Sequence, residues 1–397
     1  MTTQQINVLV VGAGPVGTFL GAVLAAQSLA VQVWERRTDS PAGSRAIGIH
    51  PPSLDALAII GAAEPVLAQA ALVREGVALS RGRRLGSLSF AAASATHPYV
   101  ATLDQHRTEA ILRERLAAAD PCALHSGTSL IGLQPRDDVV EVTGTRPGGA
   151  PTQLRASFVI GADGPHSTVR SLLGIASTGR DYPDRYAMGD FADPEHSSLR
   201  ASALVDVGPA GVVEAFPLPG GRRRYVAISG REGALRAPGW RPDAAIDRDA
   251  ASALAAVIRE RTGARVDPAS CTMLSGFGAR RRVAARSGVG RVALIGDAAH
   301  EVSPIGGQGM NLGWLDAAEL APLLVDAVRT GASVPWRTFA RRRVLVARRA
   351  ALQAEANMAL GRPLGSLGQR AREAALCTAL ALPTSGLLAR AYSMRWS

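Results

Sequence analysis

The chain has 397 residues, of which 47% are hydrophobic and 19% charged, a composition that indicates a globular protein with one large core or two domains. The net charge is +11, and all 44 basic residues are arginine. Because these arginines are scattered and no nucleic-acid-binding motif accompanies their short runs, we predict no nucleic-acid partner.

The three cysteines, Cys122, Cys271 and Cys377, lie far apart in the sequence. Their spacing predicts neither a disulfide framework nor a metal site, and it fits a reducing cytoplasm. The N-terminal sequence MTTQQ lacks the basic region of a signal peptide. The apolar stretch at 6–34 has glycines and a proline where a strand–turn–helix–strand unit needs them, so we predict no membrane span.

The first predicted strand, 6–11, runs into the sequence GAGPVG, where Gly12, Gly14 and Gly17 have the G-x-G-x-x-G spacing. Gly12 permits a tight turn, Gly14 lets the backbone approach a pyrophosphate, and Gly17 allows the helix to pack closely on the strand. The helix that begins after the turn offers free N–H groups to the phosphates. The motif therefore predicts a dinucleotide site.

The second predicted strand, 31–34, ends at Glu35, about 20 residues beyond the glycine loop. A carboxylate at this position accepts hydrogen bonds from a ribose 2′-OH and disfavours a 2′-phosphate, so NADP is not expected in this site. The strand, loop, helix and acid together make the motif specific for a dinucleotide, although they do not distinguish NAD from FAD.

Two further strand ends carry acidic residues. A predicted strand at 156–160 is followed by Asp163 and, at the start of a helix, by Arg170. A second buried strand, 292–295, leads to Asp297, at the end of a strand where open α/β sheets bind ligands. The Asp297 carboxylate suits a polyol, because it accepts hydrogen bonds from hydroxyl groups.

A glycine-rich loop, SPIGGQGMN, follows and opens a predicted helix. The N–H groups around Met310 and Asn311 can face a flat, electron-accepting ring, because a helix N-terminus stabilises the negative charge of the reduced ring. A dinucleotide with a polyol segment and a redox ring is FAD. We therefore expect the pyrophosphate at 12–17, the ribityl chain at Asp297 and the isoalloxazine beside 306–311.

Together these stretches resemble the class A flavoprotein aromatic hydroxylases, of the para-hydroxybenzoate hydroxylase type. The resemblance is carried by GAGPVG, GADGPHSTVR and GDAAHEVSPIGGQGMNLGWLDAAELA, and it spans roughly residues 5 to 345. Two weaker features agree with it. Arg45 stands where the family has a flavin-contacting arginine, and Gln105 begins the family's Gln-x-x-x-Glu-x-x-Leu pattern, whose glutamine binds FAD.

The resemblance implies a Rossmann-like α/β fold of the glutathione-reductase type, with an inserted mixed β-sheet substrate domain and C-terminal helices. It also implies an FAD-dependent monooxygenase that uses NAD(P)H and O₂ to hydroxylate a phenolic, polyketide or quinone-type aromatic substrate through a flavin C4a-hydroperoxide. The predicted cofactor-binding residues, with no metal site among them, are Gly12, Gly14, Pro15, Val16, Gly17, Glu35, Arg36, Arg45, Gln105, Asp163, Asp297, Gly307, Gly309, Met310 and Asn311.

The order of the motifs predicts three units. The predicted FAD-binding domain comprises residues 1–75, 100–178 and 278–335. The predicted substrate domain comprises residues 76–99 and 179–277, where alternating stretches such as RRRYVAIS indicate strands. Residues 336–397 are predicted to form C-terminal helices that pack on the FAD-binding domain, with peripheral membrane contact as the alternative.

His50 is the predicted catalytic residue. It follows the Arg45 segment, near the place where the family's substrate pocket meets the flavin, and a histidine has a suitable pKa for a general base that acts on a phenol. The alternative is a structural histidine in the loop before Pro51. His300 and Tyr225 are likewise open between a role in the site and a role in packing.

The same motifs fit flavoenzymes of this fold that carry out Baeyer–Villiger oxidation, epoxidation or reduction, and a non-catalytic flavin-binding regulator is a further alternative. A disulfide reductase is excluded, because the cysteines form neither CxxC nor CxxxxC. The expected partners are a small aromatic substrate and O₂. We expect a cytoplasmic monomer or homodimer.

Overall fold

The structure is a computed structural model that describes residues 4–38, 46–91, 94–193, 199, 201–229, 246–382 and 385–395. The first elements in chain order are β1 (Gln4–Val11), α1 (Pro15–Ala26), β2 (Val31–Glu35), β3 (Gly48–Ile49), α2 (Pro51–Ala58), α3 (Ala63–Gln69), β4 (Ala71–Val73), β5 (Glu75–Ser80), β6 (Arg83–Ser89), β7 (Val100–Thr102), α4 (Gln105–Ala119), β8 (Leu124–Ser126), β9 (Ser129–Pro135), β10 (Val140–Thr145), β11 (Pro151–Gly161) and α5 (Thr168–Leu172). They are followed by β12 (Ser177–Ala192), β13 (Ser202–Asp206), β14 (Val213–Leu218), β15 (Arg222–Ile228), α6 (Arg248–Thr262), β16 (Met273–Ala284), β17 (Gly288–Val289), β18 (Val292–Leu294), β19 (His300–Glu301), α7 (Gly309–Thr330), α8 (Trp336–Gly361), α9 (Ser366–Ala381) and α10 (Ser385–Tyr392).

The first sheet has a parallel core in the order β18, β11, β1, β2 and β8, to which β17, β10 and β9 add antiparallel pairings. The second halves of β1 and β11 are buried and mostly apolar, and β2 is buried throughout, as expected for a parallel sheet that is covered on both faces. Val11 pairs with Gly161 and Trp34, and Gly161 pairs with Leu294. The core strands therefore end together along one line, the carboxyl edge, which fixes where the following loops meet.

The second sheet has the strand order β19, β16, β12, β15, β14, β13, β5 and β6, and all its pairs are antiparallel except β13 with β5. One face packs on α6 through Leu254 and Ile258. A small third sheet of β3, β7 and β4 is joined to β14 by Thr102, whose hydroxyl donates to the carbonyl of Pro217 over 2.6 Å. The α/β class predicted from the sequence agrees with these sheets.

Helix α7 packs on α1 through a contact with little spare room. Trp314 is fully buried, and its indole N–H donates to the carbonyl of Pro15 over 3.0 Å. Beside it, a Cβ built on Gly313 would lie 2.3 Å from a methyl group of Val16. The close approach sets the position of the start of α7 relative to the first glycine loop.

The C-terminal helices bond directly to the connection between β13 and β14 of the second sheet. Arg372 on α9 donates to the carbonyls of Val207 (2.8 Å) and Gly208 (3.0 Å), and the N–H of Val212 donates to the carbonyl of Gly361 at the end of α8 (2.8 Å). Within the described ranges, no single helix is long and apolar enough to cross a membrane. The helices Ser366–Ala381 and Gly386–Tyr392 reach that length and apolar character only together, and they are bent by 104° relative to each other.

We predict that Trp314→Ala lowers the free energy of unfolding by about 3–5 kcal/mol, because it leaves a cavity between α1 and α7 and removes the bond to Pro15. Leu367→Ala is the control, because this side chain is 81% exposed and its loss should cost about 0.5 kcal/mol or less. Denaturant titration of both variants measures the difference. Equal effects would contradict the assignment of the α1–α7 contact to the core.

Candidate functional site

A continuous cavity of about 1320 Å³ extends from the carboxyl edge of the first sheet to the second sheet. The predicted site residues that line it are Gly12, Gly14, Pro15, Val16, Glu35, Arg36, His50, Gln105, Asp163, Asp297, Gly307, Gly309 and Met310. Gly17 and Asn311 are not among the lining residues, and both support loops that are. Arg45 lies outside the described residues. Predicted residues from distant parts of the chain thus share one cavity wall.

The first glycine loop is tight on one side and open on the other. Gly12 has a φ of +100°, and a Cβ there would lie 2.6 Å from the carbonyl oxygen of Ala162. A Cβ on Gly17 would lie 1.9 Å from the carbonyl oxygen of Gly12, whereas a Cβ on Gly14 would have no atom within 4 Å. The open space borders the start of α1, where a pyrophosphate can meet backbone N–H groups.

Glu35 is a buried carboxylate that is already well supplied with donors. Its Oε2 accepts from the N–H of Ala13 (2.9 Å), and its Oε1 accepts from the backbone N–H (3.0 Å) and Nε (2.9 Å) of Arg37. Burial alone would raise the pKa of Glu35, but these hydrogen bonds, led by the Arg37 side chain, outweigh it and lower the pKa. The ionised side chain is fixed as an acceptor beside the glycine loop.

Asp163 caps the start of α5. Its Oδ2 accepts from the N–H groups of Thr168 (2.6 Å) and Val169 (3.1 Å), while its Oδ1 is buried without a hydrogen-bond partner among the described residues. Arg170 donates to the carbonyl of Ala298 over 2.9 Å. This bond ties the Asp163 segment to the Asp297 segment, so the two strand ends are held as one wall.

Asp297 lies in a short 3-10 turn that follows β18 and lines the cavity. Burial, reinforced by the carboxylate of Glu301, raises the pKa of Asp297 to about 6. The turn is fixed from behind, since the N–H of Gly296 donates to Oδ2 of Asp316 over 2.9 Å. At neutral pH the Asp297 carboxylate is largely ionised and can accept hydrogen bonds from a polyol.

Asn311 fastens the glycine-rich loop to the third sheet. Its fully buried side chain accepts from the N–H of His50 (2.9 Å) and donates to the carbonyls of Gly48 (2.9 Å) and Gly307 (2.8 Å). The side chain is therefore occupied within the protein. What remains along the cavity is the backbone at Gly307, together with Met310 and the start of α7.

His50 lines the cavity beside this loop and is buried. Burial lowers the pKa of His50 to about 4, although a hydrogen bond with the backbone of Gly306 acts in the opposite direction. The Nδ1 atom is buried without a partner among the described residues. The ring is neutral at pH 7 and is a weak base, so its basicity is poorly matched to removing a phenolic proton, and its predicted role as the base stays a prediction.

A buried ionic cluster behind Asp297 was not predicted. Asp316 on α7 lies 2.7 Å from Nε2 of His300 and 2.5 Å from Nε of Arg343 on α8. Burial alone would raise the pKa of Asp316, but His300 and Arg343 hold it at about 2. Burial lowers the pKa of His300, yet the Asp316 carboxylate outweighs it, so the net shift is upward. His300 thus belongs to a structural cluster.

The part of the cavity bounded by the second sheet and the C-terminal helices was also missed. Its lining is mostly apolar and includes Met188, Val205, Phe216, Val226, Leu360, Leu376, Leu380 and Leu388. We call this part the apolar chamber. Glu214 on β14 lines the same chamber. The only sequence signal for this part of the cavity is the alternation of polar and apolar residues in β14, and that pattern predicts that the glutamate faces solvent.

Comparisons with known proteins identify the family. Residues 5–354 match the FAD-binding domain family. The chain belongs to this family. It is 33% identical over 325 residues, or 81% of this chain, to 6-methylpretetramide 4-monooxygenase of Streptomyces rimosus. It is 33% identical over 324 residues, or 80% of this chain, to rifampicin monooxygenase of Streptomyces venezuelae. The matches cover 56% and 63% of the lengths of these two relatives.

A solved structure shows the same fold. The p-nitrophenol 4-monooxygenase from Pseudomonas putida superposes with a TM-score of 0.84 at 24% identity, covering 97% of this chain and 96% of that chain. The predicted class of fold is therefore shared along nearly the whole chain.

FAD is the cofactor of this family, and the residues fit it. The open space beside Gly14, the acceptor Glu35 and the unpartnered oxygen of Asp163 provide what the nucleotide half requires. Asp297 and the start of α7 lie farther along the same cavity, where they offer a carboxylate and a helix N-terminus. No cluster of potential metal ligands occurs in the described part of the chain.

We predict opposite consequences for two alanines in the first glycine loop. Gly17→Ala should lower the free energy of unfolding of the flavin-free protein by about 1–3 kcal/mol, because its Cβ meets the Gly12 carbonyl. Gly14→Ala should leave that stability nearly unchanged but weaken FAD binding by about 10-fold or more, because its Cβ enters the pyrophosphate space. Denaturant titration and flavin fluorescence separate the two. Equal FAD affinity in wild type and Gly14→Ala would contradict this placement.

We predict that Asp316→Asn costs about 3–5 kcal/mol at pH 7, because it removes the buried carboxylate beside Arg343 and His300 and leaves the buried Arg343 guanidinium with the longer contact to Glu319. Asp138→Asn is the control, since this 94% exposed aspartate should contribute about 0–1 kcal/mol. The Asp316 contribution is present above the unfolded pKa of about 4 and is lost as the pH falls toward the folded value of about 2. The gap between wild type and Asp316→Asn should narrow over that window in acid denaturation. A gap that stays constant down to pH 2 contradicts the ion cluster.

Proposed function

We propose that this chain is an NAD(P)H-dependent flavoprotein monooxygenase that adds one hydroxyl group to an aromatic substrate of the phenolic or polyketide type. The observation that carries the proposal is that one cavity joins the carboxyl edge of the first sheet, where we propose that FAD binds, to the apolar chamber. An aromatic substrate held in the chamber lies in the same enclosed space as the flavin. The activities in the names of the two Streptomyces relatives, both monooxygenases, support the same reaction class.

The proposed roles follow the order of the residues along the cavity. The 12–17 loop and the start of α1 hold the pyrophosphate, and Glu35 accepts a hydrogen bond from the ribose. Asp297 accepts from the ribityl chain, and the start of α7 lies beside the isoalloxazine. Gln105 lies at the start of α4, and its amide donates to Glu109 over 2.7 Å. Its proposed role is to bind the flavin. Arg45, outside the described residues, is proposed as a further flavin contact.

FAD, once reduced by NAD(P)H, supplies the activated oxygen atom. Overall, the aromatic C–H compound, O₂, NAD(P)H and one proton give the hydroxylated product, water and NAD(P)⁺. The chain binds and orients the two rings and excludes water from the space between them. The positive end of the α7 dipole stabilises the negative charge that the reduced ring carries.

We also propose the division into units that the sequence predicts. The parallel sheet belongs to an FAD-binding unit of the glutathione-reductase type, and the C-terminal helices close the chamber. The second sheet belongs to an inserted substrate unit, although β19 and most of β16 fall within the 278–335 segment predicted for the FAD-binding domain. The shared lining of the cavity supports this division. A monomer or homodimer in a reducing cytoplasm is part of the same proposal, and the free state of Cys122, Cys271 and Cys377 supports the compartment.

The test is oxygen transfer by the purified, FAD-loaded protein. It is incubated with NADH or NADPH, isotopically labelled O₂, and a panel of phenols, resorcinols, hydroxynaphthalenes and fused polyphenols. We expect one labelled oxygen on an aromatic ring and one NAD(P)H oxidised for each product. Protein stripped of FAD is the control and should give none.

Two results would overturn the proposal. Insertion of labelled oxygen beside a ketone would assign Baeyer–Villiger chemistry to the site. A flavin that NAD(P)H never reduces, in the presence of every compound that measurably binds, would leave a flavin-binding protein without this activity. Mass spectrometry and the flavin absorbance distinguish the two.

A further inference from the structure

The cavity-facing surface of the second sheet has a charge in an unusual place. Strand pairing aligns Met188 with Val226, Val226 with Glu214, Glu214 with Val205, and Val205 with Ala78. All five side chains line the cavity. Glu214 therefore occupies the middle of a row across the sheet in which the other four residues are apolar. A solvated strand face does not explain this position, because the row faces the apolar chamber.

Glu214 has neither an ion pair nor a hydrogen bond among the described residues. In the adjacent row, the cation Arg224 donates to both oxygens of Asp190, over 2.6 and 2.8 Å. Toward the C-terminal helices, Arg362 is paired with Asp184 at 2.8 Å. These two cations therefore already have carboxylate partners. Within the described part of the chain, Glu214 is an acceptor to which no group donates.

Two tyrosines also lie close to Glu214. Desolvation, together with the Glu214 charge, raises the pKa of Tyr392 to about 12, although 40% of this residue is exposed. Burial, together with the charges of Asp184 and Glu214, raises the pKa of Tyr186. The Tyr392 hydroxyl donates to Oδ1 of Asn357 over 2.8 Å. Both tyrosines are neutral at pH 7, so they do not offset the charge of Glu214.

The environment of Glu214 gives it the basicity that His50 lacks. Burial in the apolar chamber raises the pKa of Glu214 to about 7, and no opposing charge lowers it. A general base works best when its pKa is near the operating pH. An unpaired carboxylate in a largely apolar enclosure also costs stability, which is tolerated at functional sites.

We propose that Glu214 accepts a hydrogen bond from a hydroxyl group of the aromatic substrate and removes its proton as the ring is hydroxylated. This inference rests on the proposed function. It names the substrate class as a phenol whose hydroxyl is the only polar group at that end of the molecule. A substrate with a carboxylate at that end is excluded, because its negative charge would lie beside that of Glu214 in an apolar space.

The proton transfer balances without any added reagent. The phenolic O–H bond breaks, the proton passes to a carboxylate oxygen of Glu214, and the electron pair stays on the substrate oxygen. Delocalised into the ring, that pair makes the ortho and para carbons more nucleophilic toward the activated oxygen. The proton then leaves to solvent after product release, which restores the carboxylate.

The first test is binding, which does not depend on turnover. The control variant is Glu141→Gln, which changes a partly exposed glutamate on β10 that is paired with Arg136 and Arg155. FAD-loaded wild type, Glu214→Gln and this control are titrated at pH 8 with an alkylphenol and its methyl ether. At this pH Glu214 is largely ionised and the phenol is neutral, so wild type and control should prefer the phenol by about 10-fold, as a hydrogen bond to a charged acceptor allows. Glu214→Gln should lose most of this preference at the same pH. A retained preference in Glu214→Gln overturns the proposal.

The second test is the pH profile of oxygen transfer. At pH 7 Glu214→Gln should be slower by about 100-fold or more, which is the usual contribution of a general base. The wild-type rate should rise as the pH passes about 7, where Glu214 ionises. The deficit of Glu214→Gln should shrink toward pH 10, where phenols ionise unaided. A deficit that is constant with pH, or no deficit, shows that Glu214 is not the base.

A stability measurement guards against misfolding of the variant. The pKa of Glu214 is higher in the folded state than in the unfolded state. Its ionisation therefore lowers the stability of the folded protein as the pH rises from about 4.5 to about 7. Glu214→Gln lacks that loss, so its thermal midpoint should equal or exceed that of wild type at pH 8. A lower midpoint at pH 8 contradicts the desolvated position of Glu214. If wild type transfers no oxygen yet prefers the phenol, the proposed function fails and Glu214 is left only as a hydrogen-bond acceptor for a phenol, without its role as the base.

Discussion

The buried carboxylate of Asp316 is the interaction on which both halves of the cavity depend. It receives the N–H of Gly296, the imidazole of His300 and the guanidinium of Arg343, which come from three different elements. One side of this cluster fixes the turn that places Asp297 in the cavity wall. The other side fixes α8, whose far end lines the apolar chamber. Breaking the cluster would therefore loosen the Asp297 wall and the chamber wall together, although Asp316 itself does not line the cavity.

Much of the flavin half could be predicted because its signals are local. Short apolar strands that end in Gly12, Glu35, Asp163 and Asp297 imply parallel neighbours, and parallel strands in register bring their ends to one edge. Helix α6 has signals of the same local kind, since its apolar residues and its N-cap, Asp247, lie within one segment. What these residues do with a bound flavin stays a prediction.

The chamber half could not be predicted because its signals are distant in sequence. The alternation of β14 places Glu214 opposite the core face, which a single strand cannot distinguish from solvent. In the sequence, the segments that form the covering helices α8 to α10 are recognisable only as basic and rich in alanine. Their hydrogen bonds to Val207 and Val212 involve backbone atoms, which no side-chain pattern predicts. The predicted role of His50 assumes the ordinary pKa of a histidine. Burial lowers that pKa, and the sequence around His50 does not show that the side chain is buried.

Environment divides the carboxylates of this cavity into two kinds. Glu35 and Asp316 are buried with cationic and N–H donors, which outweigh desolvation and keep the carboxylates ionised. Asp297 and Glu214 are partly buried in the cavity wall with fewer donors, so desolvation prevails and their pKa values rise to about 6 and about 7. The first kind fixes geometry at every physiological pH. The second kind responds to a ligand that supplies the missing hydrogen bond, which is the property that a hydroxyl-bearing cofactor segment and a phenolic substrate both require.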